Sequence, residues 1–151
     1  MRQKLALKSG AIVPALLMLP NFAWMMCCSL DAGAKSAVPV ALSMAENASR
    51  IVALALPFFY SLNLKRNGSK AVLVGMAIAL GVYYLAWARF FTGGGADALL
   101  SAPLLAIPSP LALAPVVFLL LSSYLMNSGW MLGVALCFGV LHVWGLSLTV
   151  V

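Results

Sequence analysis

Acidic side chains are almost missing from this chain. Asp31, Glu46 and Asp97 are its three carboxylates among 151 residues, and His142 is its single histidine. Asp31 and Asp97 fall in short hydrophilic loops, so a hydrolytic centre is hard to build from this set. A metal site needs three or four suitable ligands, and the chain offers few at any one depth. Cys27, Cys28 and Cys137 all lie in apolar stretches with no Cys-x-x-Cys spacing, which does not support a disulfide framework. No Walker motif, nucleophile elbow, His-Glu-x-x-His or dinucleotide fingerprint occurs. Neither a cofactor nor a catalytic constellation is expected, and the reading leans away from an enzyme.

Charge of either sign is scarce. Charged residues make up 8% of the chain and hydrophobic ones 64%, whereas a soluble domain carries about 25% charged residues to hydrate its surface. Such a chain cannot cover itself with polar groups. It reads as an all-α polytopic integral membrane protein whose first partner is the lipid bilayer. The net charge of +6 does not point to nucleic acid, because the basic residues concentrate in two short hydrophilic segments, as a topology signal does.

A span needs about 20 apolar residues, and five fit: 11–30, 36–63, 71–91, 99–126 and 130–151, in one transmembrane domain. Pro57 lies in the interior of the second span and is expected to kink it. Pro108-Ser109-Pro110 cannot be regular helix, so the fourth is expected to be interrupted. Thr92-Gly93-Gly94-Gly95 ends the third, and Asn127-Ser128-Gly129 is a turn signal. Ala32-Gly33-Ala34 resembles a signal-peptide cleavage site, but the apolar stretch before it exceeds the 7–15 residues of a signal core, which favours a retained helix.

Lys and Arg set the orientation. Arg2, Lys4 and Lys8 crowd the head, and Lys65, Arg66 and Lys70 the loop after the second span. Asp31–Lys35 carries one such residue and the loop after Gly93 none. The N-terminus is therefore expected in the cytoplasm and the C-terminus outside, in a cell (inner or plasma) membrane. Ala71, Gly75 and Ala79, and again Ala135 and Gly139, form small-residue faces where a helix can approach closely, suited to a homo- or hetero-oligomer. Trp87 reads as an interfacial aromatic and Arg89 as a side chain reaching for the surface.

The polar residues within the spans carry the functional reading. Glu46 and Arg50, four apart with Glu first, can pair on one helix face. A charge near the bilayer centre costs about 2.5–3.5 kcal/mol on insertion scales, so an unemployed pair is not expected there. At about 1.5 Å per residue, Arg50 and His142 each lie roughly 20 Å from the cytoplasmic edge, and Tyr83 and Tyr84 roughly 18–20 Å. Asn21 comes to about 16 Å, Ser109 to about 25 Å, and Glu46 one turn beyond Arg50. With Asn47, these define a candidate polar layer for binding or moving a small solute or ion, with Glu46 or His142 as proton carrier.

Two alternatives remain: a non-catalytic scaffolding subunit, and a membrane enzyme acting on a lipid or isoprenoid with Glu46 or His142 as acid or base. Cys27-Cys28 resembles, over those two residues, the paired cysteines in the first span of small mercury-ion transporters. That likeness implies soft-metal transfer, the lesser reading beside buried apolar cysteines.

Overall fold

The computed structural model describes residues 9–27, 39–93, 103–104 and 109–149. Among them are five α-helices and no strand: α1 (Ile12–Cys27), α2 (Val40–Ala55), α3 (Ser69–Thr92), α4 (Pro110–Met126) and α5 (Gly129–Thr149). The helices α1, with its leading 3-10 turn Ser9–Ala11, and α3 are long and apolar enough to cross a bilayer. Pro110–Met126 and Gly129–Gly145 are apolar but shorter.

Local chemistry explains the boundaries. Pro39 stands just before α2, and its carbonyl accepts from Leu42 and Ser43. Asn127 takes a left-handed conformation (φ 50°) after α4, one of the residue types that tolerates it. Ser128 then caps α5 through an Oγ that accepts from Met131 N–H at 3.1 Å. Two residues thus reverse the chain, and α4 and α5 pack as neighbours.

The second predicted span is shorter than expected, and Pro57 stops the helix instead of kinking it. Without an N–H, Pro57 cannot donate to the Ala53 carbonyl, and its ring crowds that position. The chain tightens into a 3-10 turn over Leu56–Phe59 and then extends. Tyr60–Asn63 runs across the end of the bundle. The Tyr60 carbonyl accepts from Gly10 N–H, Leu62 N–H donates to Ser9 Oγ, and Asn63 N–H donates to the Leu125 carbonyl. A Cβ on Gly10 would sit 2.3 Å from the Pro57 carbonyl oxygen, so this crossing needs glycine. The fourth predicted span is helix only from Pro110, and at the expected break Ser109 takes a left-handed conformation (φ 49°). Pro108 lies outside the described residues, as do residues 99–102, 105–107 and 28–38, the last with the cleavage-site pattern.

The basic loop closes the same end. Arg66 donates to the Tyr124 carbonyl in the last turn of α4, which also accepts from Asn127 N–H, and its guanidinium lies 3.7 Å from the Tyr124 ring centroid. Tyr124 OH in turn donates to the Asn67 carbonyl. At the opposite end Arg89 donates to the Pro103 carbonyl.

Around the bundle, α3 packs on α4, α4 on α5 and α5 on α2, while α1 touches α2, α3 and α4. The small-residue faces are used inside the chain. A Cβ on Gly75 would meet Leu121 Cδ1 at 3.0 Å, and one on Gly139 would meet Val116 Cγ1 at 2.6 Å. Ala79 and Ala135 are buried, whereas Ala71 is exposed. The close approach these residues permit is between α3 and α4 and between α4 and α5, so it gives no support to an oligomer.

Candidate functional site

A half-open cavity of about 300 Å³ lies between the helices, and all five line it. From α1 come Leu17, Asn21 and Trp24, and from α2 Arg50 and Ala53. Tyr83 and Trp87 of α3 face Phe138 and His142 of α5 around it, with Ala112, Pro115 and Leu119 of α4 completing the wall.

At its edge three ionisable side chains meet. Arg50 Nη2 donates to Glu46 Oε1 along α2, the pairing that i,i+4 spacing predicts. The same oxygen lies 2.8 Å from His142 Nδ1 on α5. A carboxylate paired with a guanidinium has no proton to give, so Nδ1 carries the proton and donates. Among the described residues His142 Nε2 then has no partner. Glu46 Oε2 rests against Gly145, where an added Cβ would approach it to 3.0 Å. Beneath, the Phe138 ring stacks on His142 at 5.0 Å, and Arg50 lies 5.9 Å from the Phe138 ring centroid.

Contact geometry corrects the depth count by one turn. Glu46, not Arg50, stands level with His142. The count treated Tyr60–Asn63 as rising helix, yet those four residues cross the end of the bundle, which removes roughly 6 Å of rise.

Across the cavity, the tyrosines answer a defect in α1. Pro20 sits inside that helix and supplies no N–H to the Leu16 carbonyl. Tyr84 OH donates to that carbonyl at 2.7 Å. Tyr83 OH donates to the next one, Leu17, at 3.2 Å, and accepts from Asn21 Nδ2 at 2.9 Å. Buried backbone acceptors need such partners, so this cluster ties α1 to α3. Pro115 likewise leaves the Leu111 carbonyl of α4 without its helical donor, in the cavity wall. Trp87 Nε1 is buried without a hydrogen-bond acceptor among the described residues.

Of the expected site residues, Glu46, Arg50 and His142 come into direct contact, and Asn21 and Tyr83 line the same cavity. Tyr84 does not line it. Asn47 is exposed, because a residue adjacent in a helix points about 100° away. Ser109 is not among the lining residues. It precedes α4 with φ 49°, and its carbonyl accepts from Ala112 and Leu113. Cys27 ends α1 and Cys28 lies outside the described residues; no group of three His, Cys, Asp or Glu converges among the described residues.

Comparison with known protein families, curated proteins and solved structures finds no match. The site's chemistry must be read from its own residues.

Three of those residues escaped the sequence reading. Trp87 is not an interfacial aromatic but a buried side chain, 9% exposed, packed edge-on to Tyr83 and Phe90. Phe138 and Gly145 lie four before and three after His142, on its own helix face, and that spacing was the available signal.

Proposed function

We propose that this chain is a multi-pass membrane protein that binds a small solute in its five-helix cavity and moves it across the bilayer, with the Glu46–Arg50–His142 cluster holding the solute or an accompanying proton. The observation that carries the reading is the cavity itself. Every helix contributes to it, and three ionisable groups converge at its edge. Ionisable groups within a membrane bundle belong to such pathways by default.

The exterior supports the bilayer part of the proposal. Large apolar side chains such as Phe22, Ile78, Leu85, Val140 and Trp144 are more than half exposed. A soluble monomer rarely leaves contiguous apolar surface of that kind to water. The five helices would cross with Ser9–Ala11, the Asn63–Gly68 loop and the α4–α5 turn on the cytoplasmic face, where Lys65, Arg66 and Lys70 gather.

The test is flux. In proteoliposomes offered small organic anions, cations and neutral solutes, with a pH reporter inside, the protein moves at least one class. Glu46→Gln and Arg50→Ala each cut that flux by tenfold or more while circular dichroism and gel filtration stay unchanged. Flux indifferent to both substitutions in folded protein overturns the proposal.

A further inference from the structure

What the cavity wall offers, and what it withholds, defines the solute. Resting on the reading of the cavity as a binding site, the chemistry narrows to one class. Glu46 is the one carboxylate among the described residues and does not line the cavity. One of its oxygens is taken by Arg50 and His142, and the other is packed against Gly145. Arg50 lines the cavity with one nitrogen committed to Glu46 and further N–H groups to spare. The wall therefore holds a cation and no competing anion. Its remaining surface is mostly aromatic and aliphatic, from Trp24, Tyr83, Phe138 and Leu119, with Asn21 and the Leu111 carbonyl as neutral polar groups. Such a wall suits an apolar body bearing one anionic group that a guanidinium can grip.

Charge balance adds a condition. Glu46 and Arg50 cancel, so an anion placed beside them leaves one uncompensated negative charge against a largely apolar wall, which is unfavourable. His142 can supply the missing positive charge. Its Nδ1–H already points at Glu46, and Nε2 has no partner among the described residues to prevent a second proton. The titratable and charged groups around it are Glu46 and Arg50 from α2 and Tyr83 from α3; the lining residues of α1 and α4 add none, and on α5 itself its neighbour is Phe138. Arg50 and a protonated His142 then balance Glu46 and the ligand.

We propose that the cavity takes a small apolar monocarboxylate together with one proton. At about 300 Å³ the cavity lies at the small end of the range for ligand pockets, which suits a compact acid such as phenylacetate.

Calorimetry on the full chain in nanodiscs tests this, using phenylacetate, phenylacetamide and phenethylamine, each titrated in two buffers of different ionisation enthalpy. Phenylacetate is expected to bind at least about tenfold more tightly than the amide or the amine, with uptake of about one proton. Arg50→Gln abolishes that preference and Arg50→Lys retains part of it, which separates lost charge from lost fold. Equal or tighter binding of the amide or the amine overturns the proposal, as does carboxylate binding without proton uptake. Ala112→Phe, which fills the cavity, separates the two levels of the argument. If the amide binds as tightly as the acid and Ala112→Phe blocks both, the cavity stands and the acid class falls; if every probe ignores it, the cavity reading itself falls.

Discussion

Replacing Tyr84 by Phe should cost stability for a reason that lies on another helix. Pro20 deprives the Leu16 carbonyl of its α-helical donor, and the Tyr84 hydroxyl fills the vacancy at 2.7 Å. Tyr84→Phe leaves that carbonyl without either donor. A buried orphaned acceptor costs about 1–3 kcal/mol. Tyr84 is only partly buried, which puts the expected loss near the low end, at about 1 kcal/mol. Pro20→Ala returns an N–H to position 20, so in that background the same substitution should cost at most about 0.5 kcal/mol. The coupling between the two sites is then of the order of 0.5–1 kcal/mol, within reach of a double-mutant cycle. Tyr83→Phe is the control, because Leu17, its acceptor, can still receive the backbone N–H of Asn21. Its cost should depend little on Pro20. Equilibrium unfolding in detergent micelles, followed by helical circular dichroism, gives all the required differences. Equal loss for Tyr84→Phe with and without the Pro20→Ala substitution would refute the link.

Other substitutions probe the remaining contacts. Glu46→Gln should destabilise by about 1–3 kcal/mol, less than the ~3–5 of a fully buried broken pair, because the Arg50 side chain is 41% exposed; removing both charges with Glu46→Gln/Arg50→Gln should recover part of it in the same unfolding assay. Gly145→Ala places a Cβ 3.0 Å from Glu46 Oε2 and should weaken ligand binding severalfold by calorimetry with little change in unfolding midpoint. Gly139→Ala drives a Cβ into Val116 at 2.6 Å, with an expected cost of about 1–3 kcal/mol, which Val116→Ala should relieve in thermal unfolding.

The order of the helices was readable because apolar runs separated by Lys65–Lys70, Gly93 and Asn127-Ser128-Gly129 leave little choice. The Glu46–Arg50 pair was readable because both residues sit on one helix at the spacing that brings side chains together. The arrival of His142 beside them was visible only as a shared level, since contact across 96 residues depends on how α5 turns against α2. Asn47 could have been set aside from helix geometry alone. Pro57 was harder. A proline in an apolar run can bend a helix or end it, and the choice here accompanies Ser9, Gly10 and Leu125, which bind the backbone that leaves the helix. Tyr84 lies at the depth of the polar layer, yet it serves a carbonyl exposed by a proline on another helix. Small residues promised close approach correctly but did not name the partner, which proved to be within the chain.

Thiol accessibility in membranes tests the central claim most directly. In a chain with Cys27, Cys28 and Cys137 replaced by serine, single cysteines are placed at Met18 and Leu111 in the cavity wall, and at Ile78 and Val140 on the outer surface. A small hydrophilic methanethiosulfonate should modify the cavity positions and leave Ile78→Cys and Val140→Cys untouched, with Lys65→Cys as the water-exposed reference. Outer positions reacting as fast as Lys65→Cys, or cavity positions that stay inert, would contradict a solute-accessible cavity inside a lipid-facing bundle.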